Sequence, residues 1–555
     1  MEKKKSSAIL QALLYLTVFV GFAVSHLFAY PQYDVMIFSR DVGNSIADAV
    51  RESLYYGNGR FLGNVLGFYF SNHFVESLFF TSLMMTAFTA LLNRLFFDGR
   101  KSCIFPIAVI IAFPALGIVR EVYFMLAAFC NYAVPLLFVL LTCIILKQMR
   151  LGGSRWLYVP LALSAFCSCL FSENTTVVIG CLAFLILVRE YIDKKKITPQ
   201  SIVNFVFTAA GAMTMYLIPK LTGTSEKLSD YRSFVTEPTA LYRNVISGVR
   251  AFALIANQFV LVYAVISFVM LSLLFRSRIA KALKLLIAAI LVVFPISCIF
   301  PICFASFAYR YSSVYIPLEI AYLAAIIIVA IVTKNKNLIW ATLMTVVLLG
   351  SAVGPILIVN HRGDRTFFTV FAIFLFYAAY LATLFGREIT TVRLKKSIRI
   401  ASPILFAAVC AFVFMQSVYN FDGYAFRADK IAQERTVSAE ISVPYLPRER
   451  FAAESKWGQI DPFIFGDELK PTFTVVDADE WEYAQEYEKI KSAPLKDAVR
   501  YAASHWSFKD PEYPEKLYKE YSAKKIKKVL TYRHKCVNIT KLFFFKDSRC
   551  FSVMV

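Results

Sequence analysis

Four carboxylates and three guanidinium groups fall between positions 34 and 60 of this 555-residue chain, on either side of a short amphipathic run. They are Asp34, Asp41, Asp48 and Glu52, with Arg40, Arg51 and Arg60. An Asp can take the proton of an attacking hydroxyl, and an Arg can grip a phosphate with two parallel N–H bonds. A carboxylate cluster with an Arg beside it, held at a bilayer surface, therefore suits chemistry on a lipid phosphate. The plainer alternative is that these charges solvate an ordinary loop.

Further polar groups stand at the ends of apolar runs. Asn58 lies in the Tyr55-Tyr56-Gly57-Asn58-Gly59-Arg60-Phe61 stretch, and Arg120-Glu121, Glu173-Asn174 and Arg310 each border an apolar segment. Arg362 and Arg365, with His361 and Asp364, form a compact polar loop that could grip a phosphate or simply cap two helices. Glu319 lies about eight residues inside its run, roughly 12 Å deep at helical rise. A carboxylate at that depth marks a functional site or an inter-helix Glu–Arg pair.

The elements that must position these residues are membrane spans. Hydrophobic residues make up 58% of the chain and charged residues only 17%, and the apolar residues come in long runs rather than short stripes. Such runs are long enough to cross a hydrocarbon core of about 30 Å. Formal net charge is +21. The cations gather in alternate short connections (94–101, 147–155, 189–196, 276–284, 334–336 and 387–399), which is the positive-inside pattern and not a nucleic-acid footprint. The connections between them, 120–121, 172–176, 220–250, 305–313 and 361–365, are poor in Lys. Placing the basic set in the cytoplasm makes every span alternate and gives about 13 spans, with the N-terminus cytoplasmic. The run at 8–29 behind Glu2-Lys3-Lys4-Lys5 reads as an uncleaved first span.

The expected fold is an all-α polytopic membrane bundle over 1–418, with its first outer loop at 31–61. A small α+β extracytoplasmic domain follows over 419–555. Within that loop, Ser45 with Asp48 three residues on predicts a capped helix start, and Ile46, Ala49, Val50, Ser53 and Leu54 recur at helical spacing. That is a surface-lying amphipathic helix ended by Gly57 and Gly59. In the terminal domain 472–476 predicts a strand and 480–503 a helical stretch. Cys103, Cys167, Cys169 and Cys298 sit in apolar runs as small hydrophobes. An extracytoplasmic location would allow Cys536 and Cys550 to bond, and Asn538-Ile539-Thr540 is a sequon of the kind that arises often by chance. No phosphate-cradling Gly-x-x-x-x-Gly-Lys loop, His-Glu-x-x-His pair or Gly-x-Ser-x-Gly elbow occurs, which argues against ATPase, zinc-protease and serine-hydrolase chemistry.

Taken together these features resemble the GT-C class of membrane glycosyltransferases, in particular a bacterial multipass branch related to O-antigen glucosyltransferase-like proteins. The resemblance rests on the first span followed by an Asp-bearing outer loop, the surface helix, the 55–61 stretch, Glu173-Asn174, Arg310 and the terminal domain. It implies a polyprenyl-phosphate sugar donor and an acceptor that is a surface polysaccharide, lipid or protein, at a bacterial plasma membrane. It implies Asp34 as general base, with Asp41 second, and Arg60 and Arg310 as contacts to the donor phosphate. The family often has two adjacent acids where this chain has Asp34-Val35, which leaves the base, and any need for a divalent cation (Mg or Mn), open. The rival reading is a flippase or exporter of a lipid-linked saccharide, which would use Glu319 without catalysis.

Overall fold

A computed structural model describes residues 2–29, 42–56, 58–116, 120–224, 237–299, 312–358, 364–386, 392–434, 440–444, 472–476, 482–509, 513 and 516–524. These fall into two compact units, one formed by the residues up to Ser417 and the other by those from Val418 onward.

The first unit is helical throughout its regular structure. Its elements are α1 (Glu2–His26), α2 (Ile46–Tyr55), α3 (Phe61–Ser71), α4 (Phe74–Phe97), α5 (Ile104–Ala112), α6 (Arg120–Phe124) and α7 (Leu126–Arg150). There follow α8 (Tyr158–Ser168), α9 (Glu173–Lys194), α10 (Pro199–Leu221), α11 (Pro238–Ala256), α12 (Val260–Arg276), α13 (Lys281–Ser297), α14 (Ser312–Val332), α15 (Lys336–Leu357) and α16 (Phe368–Gly386). The last helix, α17 (Val392–Glu434), runs on into the second unit. Among the described residues nine helical segments are long and apolar enough to cross a membrane. The chain is accordingly a multipass membrane protein of helical-bundle type.

Three of these helices depart from simple spans. The apolar sequence after Arg60 divides into α3 and α4 at Asn72-His73. At 11 residues α3 is only about 16 Å long, too short to cross by itself. Within α7, Phe129–Ala133 forms a π turn, which widens the helix by one residue exactly where Asn131 and Tyr132 face the bundle interior. The amphipathic helix forms as the sequence predicts. Ser45 caps α2 by accepting from the Asp48 N–H at 3.1 Å, and its own hydroxyl donates to Asp48 Oδ2 at 2.7 Å. Ala49 and Ser53 are buried on one side of α2, while Ile46, Val50 and Tyr55 stay exposed.

Four of the basic connections, 94–101, 147–155, 189–196 and 334–336, meet at one end of the bundle. There Glu190 of α9 meets Arg150 and Lys194, Asp193 pairs with Lys336 at 2.9 Å, and Lys147 pairs with Asp98 at 2.9 Å. The other end of α9, about 25 Å away at helical rise, carries Glu173 and Asn174, far from any of those cations. Between the ends, the core is built from apolar and aromatic side chains of α4, α5, α7, α12 and α16. Cys298 is buried in it, Cys169 is buried in a smaller cluster with Val139 and Ile179, and Cys103 and Cys167 are half-buried.

In the second unit, β1 (Glu440–Pro444) and β2 (Thr472–Val476) pair in parallel, Glu440 opposite Thr472. The helical stretch expected at 480–503 is two helices, α18 (Ala484–Ser492) and α19 (Leu495–Ser504), separated at Pro494. Phe426 of α17 stacks on Tyr487 of α18, Lys430 pairs with Glu486 at 3.2 Å, and Asp429 accepts from the Tyr521 hydroxyl at 2.7 Å. Cys536, Cys550 and Asn538 lie outside the described residues.

Candidate functional site

At the end of the bundle away from the basic connections, the start of α3 is fixed against the start of α9. Gly59 adopts φ +70°, and a β-carbon there would run into the Met215 carbonyl of α10, so only glycine fits. Asn58 Oδ1 then accepts from the Arg60 backbone N–H at 3.0 Å and from Asn64 Nδ2 at 2.7 Å. The Leu62 N–H, one of the four that a helix start leaves without an internal partner, donates to the Leu170 carbonyl at 3.0 Å. This lashes α3 to the turn that precedes α9.

The lashing aims Arg60 at Glu173. Its Nε donates to Oε1 at 3.1 Å and to Oε2 at 2.9 Å, and an Nη donates to Oε2 at 2.5 Å. The guanidinium carbon lies 5.8 Å from the centre of the Tyr132 ring. The Arg60 side chain is 9% exposed, whereas that of Glu173 is 46% exposed. Burial works against the Arg60 charge, but the Glu173 carboxylate and then the Tyr132 hydroxyl outweigh it and raise the Arg60 pKa above its ordinary value. Glu173 also stands in the first turn of α9, where the helix dipole favours a negative group. The result is a fixed positive charge inside the wall with a carboxylate facing outward over it.

Neighbouring elements complete the wall. Asn174 Nδ2 donates to the Thr366 carbonyl at 3.1 Å, and the hydroxyls of Thr175 and Thr369 are 3.1 Å apart. Arg365, in the short 3-10 turn Asp364–Phe367, places a guanidinium nitrogen 2.7 Å from Met125 Sδ. That turn packs against α6, whose first residue is Arg120.

Of the site residues expected from sequence, Asn58, Arg60, Glu173, Asn174 and Arg365 are thus drawn to one end of the bundle. Arg120 is placed there by its backbone. Arg60 directs its Nε and one Nη at Glu173. Glu319 is not part of this cluster. It is buried in α14, which packs against α11, α12, α13 and α15, and no ion pair joins it to an Arg among the described residues. Asp34, Asp41, Arg310 and Arg362 lie outside the described residues. Among the described residues no group of His, Cys, Asp and Glu is placed to hold a metal.

Two residues of the wall carry no expectation from the sequence. Asn131, in the π turn, is buried beside Gly63 and its Oδ1 accepts no hydrogen bond among the described residues. Ser172, the residue before Glu173, is fully buried with its hydroxyl likewise unbonded. The available signal for Asn131 is an amide within an apolar run, Phe129-Cys130-Asn131-Tyr132-Ala133, since a polar side chain in a span is costly without a purpose. No protein-family model matches the chain, and no curated protein matches it.

Proposed function

We propose that the chain is a membrane glycosyltransferase of the GT-C kind. It would move a sugar from a polyprenyl-phosphate donor to an extracytoplasmic polysaccharide, lipid or protein. The observation that carries this reading is the meeting of Arg60, Glu173, Asn174 and Arg365 at the end of the bundle away from the basic connections. In the same reading the chain makes about 13 crossings, its N-terminus is cytoplasmic, and residues 419–555 form an extracytoplasmic domain that holds the acceptor.

The mechanism is one inverting displacement. Asp34 or Asp41 takes the proton of the acceptor hydroxyl as it attacks the anomeric carbon, and the polyprenyl phosphate leaves with the bonding electrons. Positive charge at the wall then stabilises the phosphate. Arg60 serves this from inside the wall, with Glu173 as the group that must yield or be bridged. Arg365 and Arg310 are the guanidinium groups proposed for direct contact.

The test compares surface glycans, and lipid-linked sugar turnover in membranes, for cells carrying the intact chain, Asp34→Asn, Asp41→Asn or no chain, at matched membrane levels. Loss of one specific decoration in one Asp→Asn variant supports the reading. Unchanged glycans in both variants, with loss of lipid-linked saccharide export when the chain is absent, would replace it by the transporter reading.

A further inference from the structure

The connection that follows α10 holds a helix, α11, at the same end of the bundle as the Arg60–Glu173 wall. α15 starts at Lys336, which pairs with Asp193 at the basic end, and its 22 residues carry the chain about 33 Å away, to Leu357. α11 is fastened there: Asn244 Nδ2 donates to the Leu357 carbonyl at 3.0 Å. It also packs on α14 and on the Asp364–Phe367 turn that carries Arg365, with the Phe252 and Phe367 ring centres 5.9 Å apart.

The two sides of α11 differ in kind. The side toward the bundle carries Asn244, Gly248, Phe252 and Ile255, of which Gly248 and Ile255 are buried. The opposite side presents Arg243, Ser247 and Arg250, all exposed. Arg243 and Arg250 stand two turns apart, about 10 Å along one line of the helix. α11 contains no Asp or Glu. The acid just before it, Glu237, caps the helix instead, accepting from the Thr239 and Ala240 N–H groups at 3.3 and 2.9 Å. Among the described residues no carboxylate pairs with either guanidinium.

Cations are scarce on the translocated side of a multipass chain, so two unpaired arginines on one line there call for an anionic partner. A lipid headgroup fits less well than a water-borne ligand. An in-plane membrane helix turns its apolar side to the acyl chains, but the apolar side of α11 is covered by the bundle, which leaves the arginines facing water. A guanidinium takes a phosphate through two parallel N–H donors, and a line of two suits a ligand whose phosphates repeat.

We propose that the Arg243–Arg250 face of α11 docks a glycan chain bearing repeated phosphate groups. That this chain is the acceptor rests on the glycosyltransferase reading above. The docking itself does not.

Affinity for a short linear poly(glycerol phosphate) is measured by calorimetry on the full-length protein in phosphatidylcholine nanodiscs, with dextran as the uncharged comparison. The unmodified chain should bind the poly(glycerol phosphate) and not the dextran. Arg243→Gln and Arg250→Gln should each weaken that binding about fivefold, the upper reach of an exposed ion pair. Lys281→Gln, at an exposed cation on α13, should leave it unchanged. An absence of binding, or binding that neither Arg variant weakens, overturns the proposal. So does loss of retained phosphatidylglycerol from the double Arg variant, read by native mass spectrometry, with polymer affinity intact, because the arginines then serve lipid headgroups. Asp34→Asn and Asp41→Asn separate the two readings. If glycan decoration persists in both while the Arg-dependent affinity is present, the docking face stands and the transferase reading alone falls.

Discussion

Replacing Glu173 by Gln keeps the length of the side chain and removes the charge that the Arg60 guanidinium faces. For a fully buried pair, losing one partner costs about 3–5 kcal/mol, because the other charge is left without compensation. A fully exposed pair is worth at most about 1 kcal/mol. Here Arg60 is at the buried limit and Glu173 is close to half exposed. Discounting the Glu173 end for water gives a cost of about 2 kcal/mol for Glu173→Gln. Arg60→Gln in the Glu173→Gln background removes the stranded cation, so the double variant should be no less stable than Glu173→Gln alone. A double-mutant cycle, followed by reversible unfolding of the protein in bicelles with added SDS, isolates the coupling between the two positions. The expected coupling is about 2 kcal/mol. A coupling below about 0.5 kcal/mol, within the usual additivity error, refutes the reasoning, because the pair would then behave as a surface contact.

Gly59→Ala forces an L side chain into φ +70° and drives its β-carbon at the Met215 carbonyl. The backbone conformation alone should cost about 1–2 kcal/mol, with the collision adding to it, as a thermal melt of purified protein will show. Asn174→Ala removes the bond to the Thr366 carbonyl, costing about 1–2 kcal/mol and raising amide exchange around 366–369. The Ser45 hydroxyl, helped by Arg51, holds the Asp48 carboxyl below its ordinary value of 3.8. A depressed carboxyl lends its stability above the unfolded pKa and loses it as pH falls through the folded one. Protection factors of α2 amides should therefore fall once the pH drops below about 4, and Ser45→Ala should abolish that step while costing about 1 kcal/mol of helix stability.

Much of this architecture is local, and local features are what a sequence displays. The Ser45 cap with Asp48 three residues on is such a case, and α2 begins where that pair places it. The meeting of four basic connections at one end is another, since insertion physics writes it into loop composition. Breaks inside apolar runs were harder to see. Asn72-His73 ends α3 without proline or glycine, and the π turn at Phe129–Ala133 has no compositional mark beyond Asn131. The Arg60–Glu173 pair spans 113 positions. Each residue stood out for its charge at the end of a run, but nothing in either segment says that they meet. That pairing comes from helix packing, with Gly59 and Gly63 letting backbones and the Asn131 amide come close. The role expected for Arg60 is chemistry that an isolated Arg could do, and the structure adds a carboxylate beside it.

The π turn in α7 also makes that helix a two-register device. Because the extra residue is absorbed within a single turn, the stretch from Val134 to Arg150 keeps its own angular phase, set independently of Leu126 to Ala128. Removing one residue between Phe129 and Ala133 would let the turn relax to ordinary α geometry while both flanks stay where they are. Only the side chains within the turn, Asn131 and Tyr132 among them, would be re-aimed, and both halves of α7 would keep their neighbours. Lineages that gained or lost that one residue would therefore differ in how this end of the bundle is furnished, with the rest of the scaffold carried over intact.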